Sequence, residues 1–600
     1  IYIRAFTSAD KIANAFEKNP ELKPYRHLQE RFALLLDLCG RVAGFPRHIG
    51  THSSGVVVSR VPISRIAPMQ PTATHVLPLL TFDKDDIETL GAIKLDVLSL
   101  RILSAIEDAV QDVKRKDANF QYRAIPQGDE ATYRKIRRGE AIGSFQIESP
   151  AQLALASSLS PEHFEDLVAS VALIRPGPIR GNLVAKFVAC RNGWSRVDVL
   201  HPDIVPILAK TYGCIVFQEQ VIQVIATLMG TSEAEADRFR KQLAPAQKWS
   251  KMDEMLAKFV ERVMGRYPNL SIETIERIWG QIEGWSGYGF TEGHAASFAL
   301  TAYSSAYLSA HHPAEYFAGL MSNQPMGYYS ANTLASEARR QGVTILPLDI
   351  NRSEWKCRGE NEAGLRVGFC LVEGLRREDG ERMERARNER PFLSLLDFWT
   401  RVPLHRDRME SLVLGGAFDA LHPHRRGLMW RLEESFALAQ ALRREAQDKQ
   451  QTTLEFWEEL ETPCAWELEE FSEWDRTLWE WRTTGVISSG HPIGLLRDSL
   501  KRFRILTVSE TLKAPNHAEV TVAGLNLCPH RPPTRSGKPI LFTTLEDETG
   551  VIQSACFGEA LERYIRVFLL SPAVIVRGRI QRRGTGASLT VEKAKPLLLN

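Results

Sequence analysis

One carboxylate, Asp96, interrupts an apolar run in Ile93-Lys94-Leu95-Asp96-Val97-Leu98. A lone carboxylate inside an apolar strand is costly unless it is paired or binds a cation, and a divalent metal ion would supply the opposite charge. Phosphoryl transfer on two metal ions requires several converging carboxylates, so Asp96 is expected to be one ligand of a larger set. The alternative is that Asp96 ends a strand and caps a helix that begins near Ser99.

The segments around Asp96 form an ordered series. They are Gly44-Phe45-Pro46-Arg47-His48, Thr51-His52-Ser53-Ser54-Gly55-Val56-Val57-Val58, Thr81-Phe82-Asp83-Lys84-Asp85-Asp86 and Ile93-Lys94-Leu95-Asp96. Their order and spacing resemble the second half of the palm in the bacterial C-family DNA polymerases, the DNA polymerase III alpha subunit family. The resemblance implies that Asp96 is a catalytic metal ligand and that Lys94 neutralises phosphate charge. It also implies that Asp83, Asp85 and Asp86 belong to a connecting segment.

The resemblance further implies parts that this sequence does not contain. In the family, two more metal ligands lie upstream in a PDxDxD motif, and an upstream Gly-Ser loop holds the triphosphate; neither occurs here. The first residue is Ile1 rather than Met, so we expect a truncation upstream of Asp96. The implied cofactors are two Mg²⁺ ions, completed by upstream aspartates, with dNTP substrates. We therefore expect this chain alone to be inactive.

A glycine-rich segment, Gly287 to Ser297, has the composition of a nucleotide contact. Thr291 is expected to cap a helix that begins near Glu292, so that the helix N-terminus and His294 face phosphate. Tyr288 and Phe290 would then stack on bases. The alternative is a hinge with two core aromatic side chains.

Other segments contribute candidates that are weak when taken singly. They are Gly143 to Ser149, Arg175 in the turn Arg175-Pro176-Gly177-Pro178, Phe217 to Val221, and the cations Arg238, Arg240 and Lys241. A loop and solvated helix faces are the alternatives. Together, and in this order, they resemble the nucleotide- and template-binding fingers of the same family. Ala244-Pro245-Ala246-Gln247-Lys248 departs from the family's Gly-Lys-Lys-like continuation, which weakens the triphosphate role of that stretch.

Two glycine-marked turns predict contact with the DNA backbone. Gly374 opens one short helical unit and Gly415 precedes another, and the units resemble tandem helix-hairpin-helix modules. Glycines there would let backbone N–H groups approach phosphates. The alternative is a small helical packing domain.

An acidic connector follows. Residues 451–480 hold ten acidic residues against one basic residue. At its start, Gln451, Leu454 and Phe456 have the spacing of a sliding-clamp peptide. The rest is expected to pack within the chain or against a protein partner, since phosphates would repel it.

The last hundred residues are basic, with 15 Lys and Arg against 8 Asp and Glu. Alternating segments near Val520, Ile540 and Val574 predict a small all-β barrel that resembles the family's OB-fold. Arg577 and Arg579 are among the side chains that would track single-stranded template.

Length, composition and charge indicate the general class of protein. The chain has 600 residues, a net charge of +2 and 44% hydrophobic residues, as in a soluble globular protein of roughly four domains. Eight cysteines form no CxxC pair, which fits a reducing cytoplasm and no zinc. The longest apolar runs are too short for a membrane helix.

The predicted fold is α+β multidomain. It comprises the end of a thumb-like helical region (1–48), the second half of a beta-type nucleotidyltransferase palm (49–100), helical fingers (101–345), tandem helix-hairpin-helix units (346–440), an acidic Trp-rich connector with the clamp peptide (441–499) and an OB-fold (500–600).

The predicted function is template-directed DNA synthesis, with two branches of the family to weigh. Asn323 to Ser330, Glu337 to Val343 and Asp349 to Ser353 resemble the error-prone, damage-inducible DnaE-type or ImuC branch. That branch implies translesion synthesis in DNA repair, with primer-template DNA and accessory mutagenesis proteins of the ImuA/ImuB type as partners. The replicative alpha subunit is the first alternative, and a non-catalytic DNA-binding scaffold is the second.

Overall fold

The computed structural model describes residues 22, 25–45, 50–72, 77–174, 183–248, 252–283, 290–361, 363–449, 468–531, 539–583 and 586–598. The chain divides into two compact units, residues 1–103 with 561–566 and residues 104–560 with 567–600. Within the described ranges, no helix combines the length and apolar character needed to cross a membrane.

The first unit is built from short elements. Its helices are α1 (Leu28–Arg31), α2 (Ala33–Val42) and α3 (Lys84–Thr89), and its strands are β1 (Gly55–Val58), β2 (Met69–Gln70), β3 (Leu79–Leu80) and β4 (Ile93–Asp96). β1 pairs antiparallel with β4, and β2 with β3. The predicted strands at Gly55 and Ile93 are therefore confirmed. In the segment from Thr74 to Phe82, also expected to be a strand, only Leu79–Leu80 is one within the described part.

The second unit begins with a helical region. Its helices are α4 (Arg101–Lys116), α5 (Glu130–Arg137), α6 (Pro150–Leu159), α7 (Phe164–Leu173), α8 (Leu183–Arg191), α9 (Val205–Leu208), α10 (Gln218–Met229), α11 (Glu233–Lys248), α12 (Met252–Arg266), α13 (Ile272–Glu283), α14 (Glu292–His311), α15 (Pro313–Ser322) and α16 (Ala331–Arg340). The turn predicted at Arg175 to Pro178 lies outside the described residues, as do residues 284–289.

Helix α14 is the centre of this region. Small residues follow one another at helical spacing along its buried face, at Ala295, Ala299, Ala302 and Ala306. This face lets α14 pack closely against α5 and α7 in one hydrophobic core. Tyr303, fully buried in that core, donates to the carbonyl of Pro126 at 2.6 Å and accepts from the amide of Asp129 at 2.9 Å.

A small sheet and a second helical group follow. Strands β5 (Thr344–Leu346), β6 (Arg358–Glu360) and β7 (Gly364–Arg366) form a sheet in the order β5-β7-β6. The helices are α17 (Arg377–Glu389), α18 (Leu395–Arg401), α19 (Arg406–Leu414), α20 (Arg425–Trp430), α21 (Leu432–Lys449), α22 (Glu473–Thr484), α23 (Pro492–Leu495), α24 (Arg497–Arg502) and α25 (Val508–Lys513).

The C-terminal strands close into a five-stranded barrel, which confirms the predicted barrel. The strands are β8 (Glu519–His530), β9 (Ile540–Asp547), β10 (Gly550–Phe557), β11 (Ala573–Arg583) and β12 (Gly586–Pro596), in the order β10-β12-β11-β8-β9. Helix α26 (Gly558–Leu570), between β10 and β11, was not predicted. A bulge bends β11 at Gly578, where a Cβ atom would lie 2.0 Å from the carbonyl oxygen of Thr590.

Candidate active site and nucleic acid contacts

Asp96 ends β4 on the two-stranded ribbon formed by β1 and β4, directly opposite Gly55. The side chains of Lys94 and His52 lie over Gly55, because a Cβ atom there would be 2.9 Å from Lys94 Cε and 3.1 Å from His52 Nδ1. A Cβ atom there would require the flexible end of Lys94 to move, so glycine leaves room for the present position of that side chain. The ribbon thus brings one carboxylate and one ammonium group to the same edge.

Lys94 is the main partner of the Asp96 carboxylate. Its Nζ donates to Asp96 Oδ1 at 2.5 Å, and this hydrogen bond is the main cause that lowers the pKa of Asp96 below its ordinary value. His52 Nδ1 lies 3.9 Å from the same oxygen, but it accepts the amide of Gly55 at 2.8 Å. The lone pair of Nδ1 is therefore used by the backbone, and Lys94 provides the charge that holds Asp96 ionised.

The structure corrects the premise that Asp96 is buried. Its side chain is 58% exposed, whereas that of Lys94 is 24% exposed. The ribbon has two strands, so a side chain at its end stays in contact with solvent. The alternative reading as a helix cap is also wrong, since the next helix, α4, begins at Arg101.

The neighbouring acidic residues have a structural role. Asp83 Oδ1 accepts the amides of Asp85 and Asp86 at 2.9 and 3.0 Å, and Asp86 Oδ2 accepts the amide of Asp83 at 3.1 Å. This is a capping box at the start of α3. No group of three or more metal-ligating side chains occurs within the described ranges. Asp96 can therefore supply one ligand, and a two-metal site needs carboxylates from outside these residues.

The N-terminus of α14 contradicts one predicted contact. Thr291 precedes the helix, but its side chain makes no capping hydrogen bond. Instead Glu219, from α10, accepts the amide of Glu292 at 3.0 Å, and Lys210 contacts the Glu292 carboxylate at 2.7 Å. The carboxylate of Glu219 therefore accepts the first amide of α14. It also provides the negative charge that a helix N-terminus favours.

The aromatic residues near this helix end divide into buried and exposed members. Phe290 is 8% exposed and belongs to the core beneath α14, as in the alternative of a core aromatic, and its stacking on a base stays a prediction. His294 is exposed, and its ring centroid lies 5.1 Å from that of Phe290 and 4.1 Å from that of Phe298. Phe298 in turn lies 5.2 Å from Phe145. Phe145 belongs to the candidate segment Gly143 to Ser149, whereas Phe298 was not predicted, although the i, i+4 spacing of Phe290, His294 and Phe298 signals a common helix face.

The three cations of α11 are not equivalent. Asp237 contacts Arg240 at 2.8 Å and Lys241 at 3.1 Å, and the Arg240 hydrogen bond is the main cause that lowers the pKa of Asp237. Arg238 is exposed and makes no salt bridge to the described residues. Arg238 therefore remains the cation of this helix that is best placed to meet a phosphate.

Glu148 connects two segments that the sequence indicates separately. Its carboxylate accepts the amide of Gly143 at 3.1 Å and that of Tyr328 at 3.3 Å. Burial raises the pKa of Glu148 to about 7. A Cβ atom at Gly327, where φ is +67°, would lie 2.4 Å from Glu148 Oε1. Glu148 thus fastens the Gly143 to Ser149 segment to the Asn323 to Ser330 segment.

The two glycines predicted to meet DNA lie in different surroundings. Gly374 is exposed, with φ of +81°, and only Arg408 Cγ, at 4.0 Å, lies near the position of a Cβ atom. Gly415 is buried between α19 and α22, and its amide donates to the carbonyl of Ser411 at 2.9 Å. Gly415 therefore serves close helix packing, and its contact with DNA stays a prediction.

The arginines of the barrel are exposed but paired. Arg577 on β11 forms an ion pair with Glu519 of β8, and Arg579 contacts Glu592 of β12 at 2.8 Å. These pairs are solvated, so each contributes little to stability. Their cationic groups lie on the outer face of the barrel, because residues 577 and 579 alternate with buried neighbours along the strand.

Five further predicted residues lie outside the described residues. They are Arg175, Tyr288 and the clamp-peptide residues Gln451, Leu454 and Phe456.

Family comparisons cover most of the architecture. Residues 3–99 match the bacterial DNA polymerase III alpha NTPase domain, and residues 102–266 match the finger domain of the same subunit. Both of these matched domains are domains of the bacterial DNA polymerase III alpha subunit. Further along the chain, residues 342–428 match a helix-hairpin-helix motif, and residues 520–597 match an OB-fold nucleic acid binding domain.

Curated relatives indicate the branch of the polymerase family. An error-prone DNA polymerase from Symbiobacterium thermophilum is 40% identical over 98% of this chain and 57% of its own length. One from Anaeromyxobacter dehalogenans is 35% identical over 95% of this chain and 50% of its length. Error-prone DNA polymerase 2 from Rhizobium meliloti is 33% identical over 94% and 52%. The chain spans about half the length of the curated relatives it matches, and these support the error-prone branch.

Proposed function

We propose that this chain forms part of an error-prone DNA polymerase, which joins a primer 3′-hydroxyl to the alpha phosphate of a dNTP and releases pyrophosphate. The observation that carries the proposal is Asp96. It is an exposed, ionised carboxylate beside Lys94, on a ribbon within the segment that matches the polymerase NTPase domain. An exposed carboxylate held ionised is available to a cation, whereas a buried neutral one is not.

Asp96 and Lys94 would have complementary roles. Asp96 would hold Mg²⁺ together with carboxylates from outside this chain; when bound, Mg²⁺ activates the nucleophile and stabilises the leaving oxygen. Lys94 stands two residues from Asp96 on the same face of β4, so it is placed to neutralise triphosphate charge next to it.

Other residues would hold DNA and nucleotide. His294 and Arg238 are exposed in the finger region and are proposed to contact the nucleotide or template; Arg240 and Lys241 would contribute more weakly, because Asp237 offsets their charge. Gly374 would approach the DNA backbone, and Arg577 and Arg579 would meet single-stranded template.

The branch supports proposals about the cellular role. We propose translesion synthesis in damage-induced mutagenesis, in the cytoplasm, with accessory proteins of the ImuA/ImuB type. A sliding clamp would bind the peptide containing Gln451, Leu454 and Phe456. A pull-down with the clamp tests this: Leu454→Ala with Phe456→Ala should abolish capture, and unchanged capture would contradict a clamp peptide.

The decisive experiment replaces Asp96 by Asn in the full-length polymerase and measures Mg²⁺-dependent primer extension. We expect a loss of at least about 100-fold, because even residues that only support a metal ligand change activity by about 10–100-fold. Asp85→Asn is the matched control, since Asp85 is an exposed carboxylate of α3 in the same unit. Activity retained by Asp96→Asn would refute the assignment. The 600-residue chain alone should show no extension, and robust extension would show that its own residues complete the metal site.

A further inference from the structure

Two cysteines lie at the base of the hairpin that the antiparallel strands β6 and β7 form. Cys357 directly precedes β6, and Cys370 lies in a short 3₁₀ turn, residues 369–371, that follows β7. The amide of Cys370 donates to the carbonyl of Trp355 at 2.7 Å. The backbone therefore holds the two cysteines on adjoining segments, and neither has a role in the polymerisation proposed above.

The two thiol groups interact with each other. The thiol of Cys370 donates a hydrogen bond to the sulfur of Cys357, and the amide of Gly368 donates to the same sulfur at 3.3 Å. The segments are in close contact, since a Cβ atom at Gly368 would lie 2.3 Å from the carbonyl carbon of Lys356. A disulfide requires the same arrangement, because it joins sulfur atoms about 2 Å apart on neighbouring segments.

Hydrogen bonding makes Cys357 the better nucleophile of the pair. The hydrogen bond from Cys370 is the main cause that lowers the pKa of Cys357, and it raises the pKa of Cys370. Thiolates rather than thiols react with oxidants. Cys556, fully buried on β10, shows the contrast, since burial alone raises its pKa to about 12. Cys357 is 6% exposed and Cys370 is partly exposed, so the pair is open to a small oxidant.

We propose that Cys357 and Cys370 are a modification site, at which a peroxide converts the two thiols into a reversible disulfide. The Cys357 thiolate attacks one oxygen of hydrogen peroxide, the O–O bond breaks, and the departing hydroxide takes a proton from solvent to become water. The sulfur of Cys370 then attacks the resulting sulfenic acid. The S–S bond forms, the S–O bond breaks, and hydroxide leaves with the Cys370 proton as a second water. The two cysteines lose the two electrons that the peroxide gains.

The disulfide would close the hairpin at its base. The chain at β6 is already held by α4, because Asp112 accepts the amide of Gly359 at 2.6 Å and Asp108 contacts Lys356 at 2.5 Å. A covalent bond between Cys357 and the turn after β7 would fix that turn to the same support. Disulfides in reducing compartments are usually transient and sense oxidants, and a bond that peroxide forms and thiols reverse fits this role.

The test treats the folded 600-residue chain with hydrogen peroxide, blocks the remaining thiols by alkylation and examines tryptic peptides by mass spectrometry. We expect the peptides containing Cys357 and Cys370 to appear joined, at a mass two hydrogen atoms below their sum, and to separate after treatment with dithiothreitol. Cys370→Ser should abolish the joined species and leave Cys357 as a sulfenic acid that dimedone captures. Cys556→Ser is the matched control and should leave the yield of the joined species unchanged.

Two results would overturn the proposal. In the first, both cysteines stay open to alkylation, or are oxidised further, and no joined species forms. In the second, the joined species forms only after the chain is unfolded in urea, because the bond would then not depend on the fold. Both results are read on the unmodified chain, so neither depends on whether a variant folds.

Discussion

Strands β4 and β9 both end in carboxylates, Asp96 in the first unit and Glu546 with Asp547 in the barrel. Both strands are apolar before these residues, but the carboxylates lie in opposite surroundings. Asp96 is exposed, whereas Glu546 and Asp547 are fully buried. Lys94 lowers the pKa of Asp96, and burial raises the pKa of both Glu546 and Asp547.

Hydrogen bonding explains what each carboxylate can do. Asp547 accepts the amides of Thr549, Gly550 and Val508 and a guanidinium hydrogen of Arg497, so both of its oxygens are used. It thereby fixes the turn between β9 and β10 and the start of α25. Asp96 has a described donor only on Oδ1. Asp547 is therefore a structural carboxylate with both oxygens satisfied, whereas Asp96 is exposed and keeps one oxygen available to a cation.

The largest expected effect on stability comes from removing the cationic partner of the buried carboxylate Asp547. Arg497→Ala removes the guanidinium that contacts Asp547 at 2.8 Å and Glu548 at 2.5 Å. We expect the free energy of unfolding to fall by about 3–5 kcal/mol, because a buried charge loses its partner. Urea unfolding of the 600-residue chain measures this. Arg579→Ala, which breaks an exposed pair, should cost less than about 1 kcal/mol; equal losses would contradict the contrast.

The finger region also has one buried and one exposed ring, those of Phe290 and His294, that can be compared in the same way. Phe290→Ala should lower the free energy of unfolding by about 3 kcal/mol, since it deletes a buried ring. His294→Ala should change it by less than about 0.5 kcal/mol, because its ring is exposed, and should instead weaken binding of dNTP by the full-length polymerase. Thermal unfolding and nucleotide titration of both variants separate the two roles. If Phe290→Ala binds nucleotide more weakly at temperatures where it is folded, that result would support stacking of Phe290 on a base.

The fold was largely predictable because its signals are local. Alternation around Val520 and Val574 and the valine run after Gly55 predicted strands that the structure contains. Helix α26 was missed because it lies between two strands of the barrel, where the alternating pattern was extended across it.

The site was less predictable because exposure depends on neighbours that are distant in sequence. Nothing near Asp96 shows that, among the described residues, its strand pairs on one side with β1. Nothing near Thr291 shows that Glu219, 73 residues away along the chain, accepts the first amide of α14. The burial of Gly415 was equally hard to predict, because it depends on packing against Thr483 of another helix.

The buried carboxyl of Glu148 should make the stability of the chain depend on pH. Its folded-state pKa, about 7, lies above the ordinary value of 4.5, so the folded state binds the proton more tightly than the unfolded state does. The contribution of Glu148 to the free energy of unfolding should therefore be highest below pH 4.5 and decline, by about 3 kcal/mol, as pH rises to 7. Glu148→Gln should lose this decline. The measurement is the difference between the two proteins in urea unfolding at several pH values, and parallel profiles would contradict a buried carboxyl.

The smallest effects concern the exposed pairs of the barrel, where stability and DNA binding can be separated. Arg577→Gln should leave the free energy of unfolding unchanged, since its pair with Glu519 is solvated. If Arg577 contacts phosphate, the same change should weaken binding of a labelled dT14 oligonucleotide. It should also reduce the slope of log K against log salt concentration by about 1. Glu519→Gln should do the opposite, because it releases Arg577 from its ion pair, and should strengthen dT14 binding about two-fold. If both substitutions left dT14 affinity and its salt dependence unchanged, the ion pair would be only a surface contact, and the outer face of β11 would not be the path of the template.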